Sequence, residues 1–269
     1  MNATVEELLD RYRQHNMSQV VDYDKFNHYA LTHHSTRIEG STLTDTETQL
    51  LLDEGLTPKG KPLEHSLMVK DHYQALLFVV QAAEQKQELS VNFIRQINAR
   101  IMKNTGGIYH TALGQVDSSQ GECRKGNVTA GETYFPNCDK VPKLTEQLVS
   151  ELRDSLSQKT TPAAQLELSF AAHFNLVSIH PFYDGNGRSS RLLMNFVQAY
   201  YGLPLAIVFR EDRADYFAAL QATRQRENLD LFHQFMYTQY EKQLRQEISK
   251  YEAMLDNRSS SGQTFSLLF

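Results

Sequence analysis

The 269-residue sequence has no tryptophan and only two cysteines, Cys123 and Cys138, whose spacing suits neither a metal site nor a disulfide framework. Free thiols in a reducing compartment follow. Positive charge is not in excess: 27 basic against 32 acidic side chains leave a net charge of −5, and no basic cluster marks a nucleic-acid-binding face. Long hydrophobic runs are missing too. The densest, "ALLFVV" at 75–80, is far too short to span a bilayer, and the polar start "MNATVEELLDRYRQHN" lacks the apolar core of a secretion signal. These absences predict a soluble, cytoplasmic protein with neither nucleic acid nor membrane among its partners. Hydrophobic residues at 41% and charged residues at 22% exclude a disordered chain and supply material for a real core.

What is present is helical periodicity. Leu166, Phe170, Phe174 and Val177 recur at spacings of four, four and three, so they share one helix face. Thr161-Pro162 supplies a capping hydroxyl and a first-turn proline, and Pro181 stops that helix at His180. A second helix opens at Asn186 and runs to Tyr201. It buries Leu192, Leu193, Phe196, Val197 and Tyr200, and Gly202 with Pro204 ends it. Further helices read from 5–14, 22–38, 45–54, 63–86, 90–102, 139–157, 212–226 and 229–254. Six of the thirteen glycines fall in 105–137, where "GNVTAGETYF" alternates polar and apolar residues; this region reads as loops with a small β-hairpin. The Ser-rich tail, 255–269, is expected to be loose. Neither a repeat nor a linker divides the chain, which reads as a single, mainly all-α domain over 1–269.

The helix–loop–helix at 163–201 encloses "HPFYDGNGRSSR", which starts at His180. Gly185 and Gly187 flank Asn186 at a helix N-terminus, where bare backbone, unpaired N–H groups and the helix dipole favour an anion. Arg188 and Arg191 are three apart and would project on one side, and guanidinium forks suit phosphate oxygens. Asp184 beside a polyphosphate is a natural oxygen ligand for Mg²⁺. His180 can serve as general base toward an incoming hydroxyl. Each feature alone has a plainer reading: an ordinary turn, a structural histidine, solvated arginines. Their concurrence within twelve residues points to nucleotidyl or phosphoryl transfer.

The stretch resembles, at all nine specified positions, the signature H-P-F-x-[D/E]-G-N-G-R-x-x-R of the Fic (filamentation induced by cAMP) family. The resemblance implies a core of about eight helices with a β-hairpin flap, and transfer of AMP from ATP onto a Ser, Thr or Tyr hydroxyl of a protein, this chain included. It implies that His180 takes the hydroxyl proton, Phe182 anchors the loop and Asp184 holds Mg²⁺. The Gly185–Asn186–Gly187 backbone would cradle the phosphates, with Arg188 and Arg191 on the outer ones. Ser189 and Ser190, the unspecified positions between them, are placed in the nucleotide site as well. The implied flap is "GNVTAGETYFPN" at 126–137, with Ala130, Gly131, Glu132 and Thr133 nearest the nucleotide, and it would clamp a target segment by strand addition. "DYFAALQAT" at 215–223 looks like the family's nucleoside-contacting helix, which makes Asp215 and Tyr216 candidates there. Tyr216 has an equal claim as a core residue. His173 reads as a packing residue or as one that supports the site residues from behind, and Asn195, one turn past Arg191, as a group that orients it.

Residues 1–60 contain "HHSTRIEGSTLT", in which Ser35-x-x-x-Glu39-Gly40 resembles the family's inhibitory motif in the version that precedes the signature. A carboxylate that reached Arg191 would occupy the fork that a γ-phosphate needs and leave ATP in a non-productive pose. Ser35, one turn before Glu39, could hydrogen-bond it. The plainer reading is a surface acid. The brake version also implies a homodimer. Two other readings stay open: removal of AMP by the same site with Glu39 positioning water, and a module that binds nucleotide without turning it over. His33, His34 and His65 lack metal spacing and read as structural.

Overall fold

In the computed structural model, which describes residues 3–16, 22–158 and 160–261, the periodic segments are helices. They are α1 (Ala3–Gln14), α2 (Tyr23–Ile38), α3 (Asp45–Glu54), α4 (Leu63–Glu84), α5 (Val91–Ile101), α6 (Val141–Leu156), α7 (Pro162–Ile179), α8 (Asn186–Tyr200), α9 (Arg213–Arg226) and α10 (Asp230–Ser261). Local chemistry sets their ends. Thr161 Oγ1 accepts the Ala164 N–H at 3.3 Å with Pro162 at the first position of α7. Thr44 and Glu47 form a reciprocal capping box on α3. No described helix is long and apolar enough to cross a membrane.

Helix α8 buries twelve of its fifteen residues because it lies between two cores. One face packs Leu193 and Phe196 against Leu76, Phe93, Ile97 and Leu176 of α4, α5 and α7. The other sets Met194 against Leu9, Phe170, Tyr216, Phe232 and Tyr240 of α1, α7, α9 and α10. Each large apolar side chain withdrawn from water contributes about 1.5–3 kcal/mol. The first turn of α8 is therefore fixed from two sides.

Two expectations need correction. The 105–137 region holds two hairpins rather than one. The first pairs β1 (Ile108–Thr111) with β2 (Gly114–Asp117), and the second, the flap, pairs β3 (Thr129–Ala130) with β4 (Thr133–Tyr134). The first was hidden because its four-residue strands meet at a turn that begins Ala112-Leu113, without an Asn-Gly or Asp-Gly signal. Helix α10 also continues to Ser261, past the point where the tail was expected to loosen. Once a helix exists, each further residue closes a backbone hydrogen bond without a new nucleation cost. The rest of the tail, 262–269, lies outside the described residues.

Candidate active site

Helix α7 ends at His180 in a left-handed conformation, φ 53° and ψ 59°, which turns the chain sharply into the loop before α8. Asn186 holds that loop shut: its Oδ1 accepts the Phe182 N–H at 3.0 Å and its Nδ2 donates to the Phe182 carbonyl at 2.8 Å. Phe182, 1% exposed, anchors it in the core. Gly185 has φ 77°, and a Cβ there would lie 2.7 Å from Asn98 Nδ2, so both backbone and space demand glycine. The N-terminus of α8 thus opens onto a cleft of about 480 Å³. His180, Asp184, Gly185, Asn186, Gly187 and Arg191 line one side, and Ala130, Glu132 and Thr133 of the flap line another.

His180 Nδ1 lies 3.3 Å from the Val177 carbonyl. A carbonyl only accepts, so Nδ1 carries the hydrogen and Nε2 is the free base. Burial first, then the positive charges of Arg124 and Arg224, lower its pKa to about 4 against the bond to Val177, so the ring is neutral at pH 7.

Arg191, 3% exposed, donates Nη2 to Glu39 Oε1 at 2.6 Å, Nε to Ser35 Oγ at 2.9 Å and Nη2 to the Ser35 carbonyl at 3.1 Å. Burial opposes the charge of Glu39, yet Arg191, with Arg188 behind it, holds the carboxyl below its ordinary value. A Cβ on Gly187 would sit 2.5 Å from Glu39 Oε1. The carboxylate therefore lies on bare backbone at the start of α8, where the dipole favours negative charge. Ser35 does not bond Glu39 as expected; the guanidinium stands between them and takes both.

Other expected residues turn elsewhere. Successive residues on a helix are about 100° apart, so Gly187 and Arg191, four apart, share the cleft face while 188–190 rotate off it. Arg188 lies beneath the loop, with Nη2 3.3 Å from Asp184 Oδ1 and 3.3 Å from Met102 Sδ. Ser190 Oγ donates to the Asn186 carbonyl at 2.8 Å, and Ser189 Oγ accepts from Asn98 Nδ2 at 3.2 Å; both side chains are fully buried. Asp215 is exposed and outside the cleft lining. Gly131, at φ 58°, makes the flap turn without lining the cleft. Asn195 donates to Gln198 and to the Ala206 carbonyl instead of orienting Arg191. Tyr216 is both core and cleft wall: 1% exposed, its hydroxyl 3.0 Å from His173 Nε2 and 3.5 Å from Arg191 Nη1. Phe217, Leu220, Gln221 and Arg224 line the cleft unforeseen, as do Phe135 and Tyr183. The spacing Tyr216, Leu220, Arg224 carried a usable signal, since residues four apart continue one face.

Among the described residues, no group of three or more His, Cys, Asp or Glu could hold a metal by itself. The Asp184 side chain is 53% exposed at the cleft and offers a single carboxylate, which fits a hard cation that takes its other oxygens from phosphate and water. His33, His34 and His65 bond to Thr48, the Arg210 N–H and Thr42, a structural use.

Residues 88–198 match the model of the Fic/DOC family. The chain is 30% identical over 190 residues to the protein adenylyltransferase Fic of Drosophila willistoni, an alignment that covers 70% of this chain and 35% of that protein. It is 29% identical over 196 residues to the protein adenylyltransferase fic-1 of Caenorhabditis briggsae, covering 72% and 36%. The chain thus spans about a third of the length of these relatives. The fold is similar to a Fic domain containing signaling protein from Bacteroides thetaiotaomicron, with TM-score 0.78, 23% identity and coverage of 98% of this chain and 100% of that one. It is also similar to Fic-1 from C. elegans, with TM-score 0.72, 24% identity and coverage of 91% and 70%.

Proposed function

Because residues 88–198 are a Fic/DOC family domain, we propose that this protein is an autoinhibited protein adenylyltransferase. It joins the α-phosphorus of ATP to the hydroxyl oxygen of a protein Ser, Thr or Tyr. The bond from the α-phosphorus to the bridging oxygen breaks, pyrophosphate leaves, and the hydroxyl proton goes to His180 Nε2. One observation carries the reading: a neutral imidazole with a free Nε2, the bare turn at Gly185–Gly187 and the Arg191 fork converge on one cleft. The turn supplies N–H groups and the helix dipole to the phosphates, and Arg191 supplies a bidentate donor to the outermost one. Asp184 would hold Mg²⁺ together with phosphate oxygens, and that cation would neutralise charge on the leaving pyrophosphate.

Glu39 is the brake. Its carboxylate takes the Arg191 donor that a γ-phosphate would use, at 2.6 Å. Nucleotide bound beside it is misaligned for in-line attack. Glu39→Gly is expected to raise transfer of label from α-labelled ATP to protein roughly tenfold or more, and His180→Ala in that background to abolish it. Absence of label with the Glu39 variant at any magnesium concentration would overturn the proposal. A second reading, removal of AMP by the same site, draws on the same carboxylate beside the turn. Release of AMP from a modified target by the unaltered protein, lost in Glu39→Gly, would identify it.

A cytoplasmic setting belongs to the proposal, in keeping with the free thiols of Cys123 and Cys138. So does a homodimer, which sedimentation equilibrium would detect or refute.

A further inference from the structure

Phe135 follows β4 directly, at the point where the flap returns toward α6. Its ring stacks on the His180 imidazole, centroids 3.8 Å apart and planes inclined by 17°. The Arg224 guanidinium lies 5.7 Å from the same phenyl centroid and donates through Nε to Ser178 Oγ at 3.3 Å. The imidazole is thus held against one flat apolar surface while Val177 fixes its Nδ1.

Beneath this stack lies Arg124, 3% exposed. Its Nε donates to the His180 carbonyl at 2.8 Å, its Nη1 to the Gly126 carbonyl at 2.9 Å, and its Nη2 to the Pro136 carbonyl. Its backbone N–H donates to the Pro181 carbonyl at 2.9 Å. Gly126 and Pro136 are the two roots of the flap. One guanidinium therefore joins both roots to the residue that carries the base. Three different nitrogens of one rigid plane serve the three carbonyls; an ammonium also has three donors, but they radiate from a single nitrogen and do not reproduce that spread. The clamp also accounts for the persistence of a left-handed, non-glycine residue before proline, a conformation that costs on the order of 1 kcal/mol and needs support from its surroundings.

We infer that Phe135, seated by Arg124, is a positioning residue for His180: the flap fixes the plane of the imidazole so that Nε2 faces the cleft as a free acceptor. This rests on the reading of His180 as the general base and names what aims it. The groups that act on the ring are Arg124 from the loop, Arg224 from α9 and Glu39 from the end of α2. The two arginines disfavour an imidazolium and Glu39 favours it. A phenyl face attracts cations, but here it also displaces water from one face of the imidazole, and burial is the largest influence on the ring. The flap that would receive a target thus also adds to the burial that disfavours protonation of the base.

The test uses the full chain with carbon-13-labelled histidine and three variants, Phe135→Leu, Phe135→Tyr and Arg124→Lys. The His180 signal, identified by its loss in His180→Gln, should titrate near 4 in the unaltered protein and move at least one unit toward the ordinary 6.5 in Phe135→Leu and Arg124→Lys. Phe135→Tyr, which keeps the ring, should restore the low midpoint. In the Glu39→Gly background, Phe135→Leu should lower kcat roughly tenfold at pH 7 and leave KM for ATP within about twofold, since the phosphate grip is untouched. An unchanged midpoint in both Phe135→Leu and Arg124→Lys overturns the inference, as does an equal loss of kcat with Phe135→Tyr. The titration needs no substrate. If Glu39→Gly transfers nothing, the adenylyltransferase reading falls while the seating of the ring is still decided by the midpoint.

Discussion

Glu39 Oε1 and the bare α-carbon of Gly187 face each other so closely that a methyl group has no room between them. Gly187→Ala should therefore push the carboxylate off its seat and raise basal transfer, though less than Glu39→Gly. The same methyl should crowd the phosphates and raise KM for ATP several-fold; initial rates across ATP concentrations check both. Ser35 supplies two of the acceptors that hold Arg191, one from its side chain and one from its backbone. Ser35→Ala removes only the hydroxyl, a hydrogen bond to a charged group worth about 1.5–3 kcal/mol, and should release the proposed brake partially. Basal transfer equal to that of Glu39→Gly would refute this division of labour between Ser35 and Glu39. Acidification should not release the proposed brake in the physiological range. The Glu39 carboxyl is held below its ordinary value, so its pairing is complete above that value and fails only as pH falls through the lowered one.

At the scale of elements, the junction between α7 and α8 was legible from the sequence, and its internal fastening was not. The proline after His180 and the glycines at the start of α8, Gly185 before it and Gly187 in its first turn, mark both ends of the loop. Nothing in the pattern shows that Asn186 turns its amide back onto Phe182, because that bond depends on a loop shape fixed by neighbouring helices. Asn186→Ala would strand a buried N–H and a buried carbonyl and should cost about 2 kcal/mol or more, read as a shift in the urea midpoint. A change below about 0.5 kcal/mol, the usual scale for surface substitutions, would mean that the loop is held by Phe182 packing alone. The arginine pair shows the same limit. Spacing of three made Arg188 and Arg191 look equivalent, and the cores on either side of α8 separate them. One guanidinium goes under the loop and the other into the cleft.

For the whole molecule, burial has an electrostatic consequence. Seven of the ten histidines, namely His28, His33, His34, His72, His173, His180 and His233, have pKa values pushed below the ordinary 6.5, in each case chiefly by burial. The unfolded chain binds more protons than the folded one between those lowered values and 6.5, so stability rises with pH across that window and falls as pH drops through it. Asp71 and Glu247, whose carboxyls burial pushes up, act in the opposite sense but are outnumbered. Calorimetry should show Tm falling steadily from pH 7 to pH 5. A flat or rising Tm over that interval would contradict the burial of these rings.

Composition and period alone settled that this chain is mainly helical, and nine specified residues in twelve settled which chemistry its loop resembles. Both are local matters: helical period follows from 3.6 residues per turn, and the signature is contiguous. The pairing of Glu39 with Arg191 across 152 positions, the seating of Phe135 on His180 and the diversion of Ser189 and Ser190 into the core were decided by the fold. They depend on which helix faces meet, and a sequence states the faces without stating their neighbours.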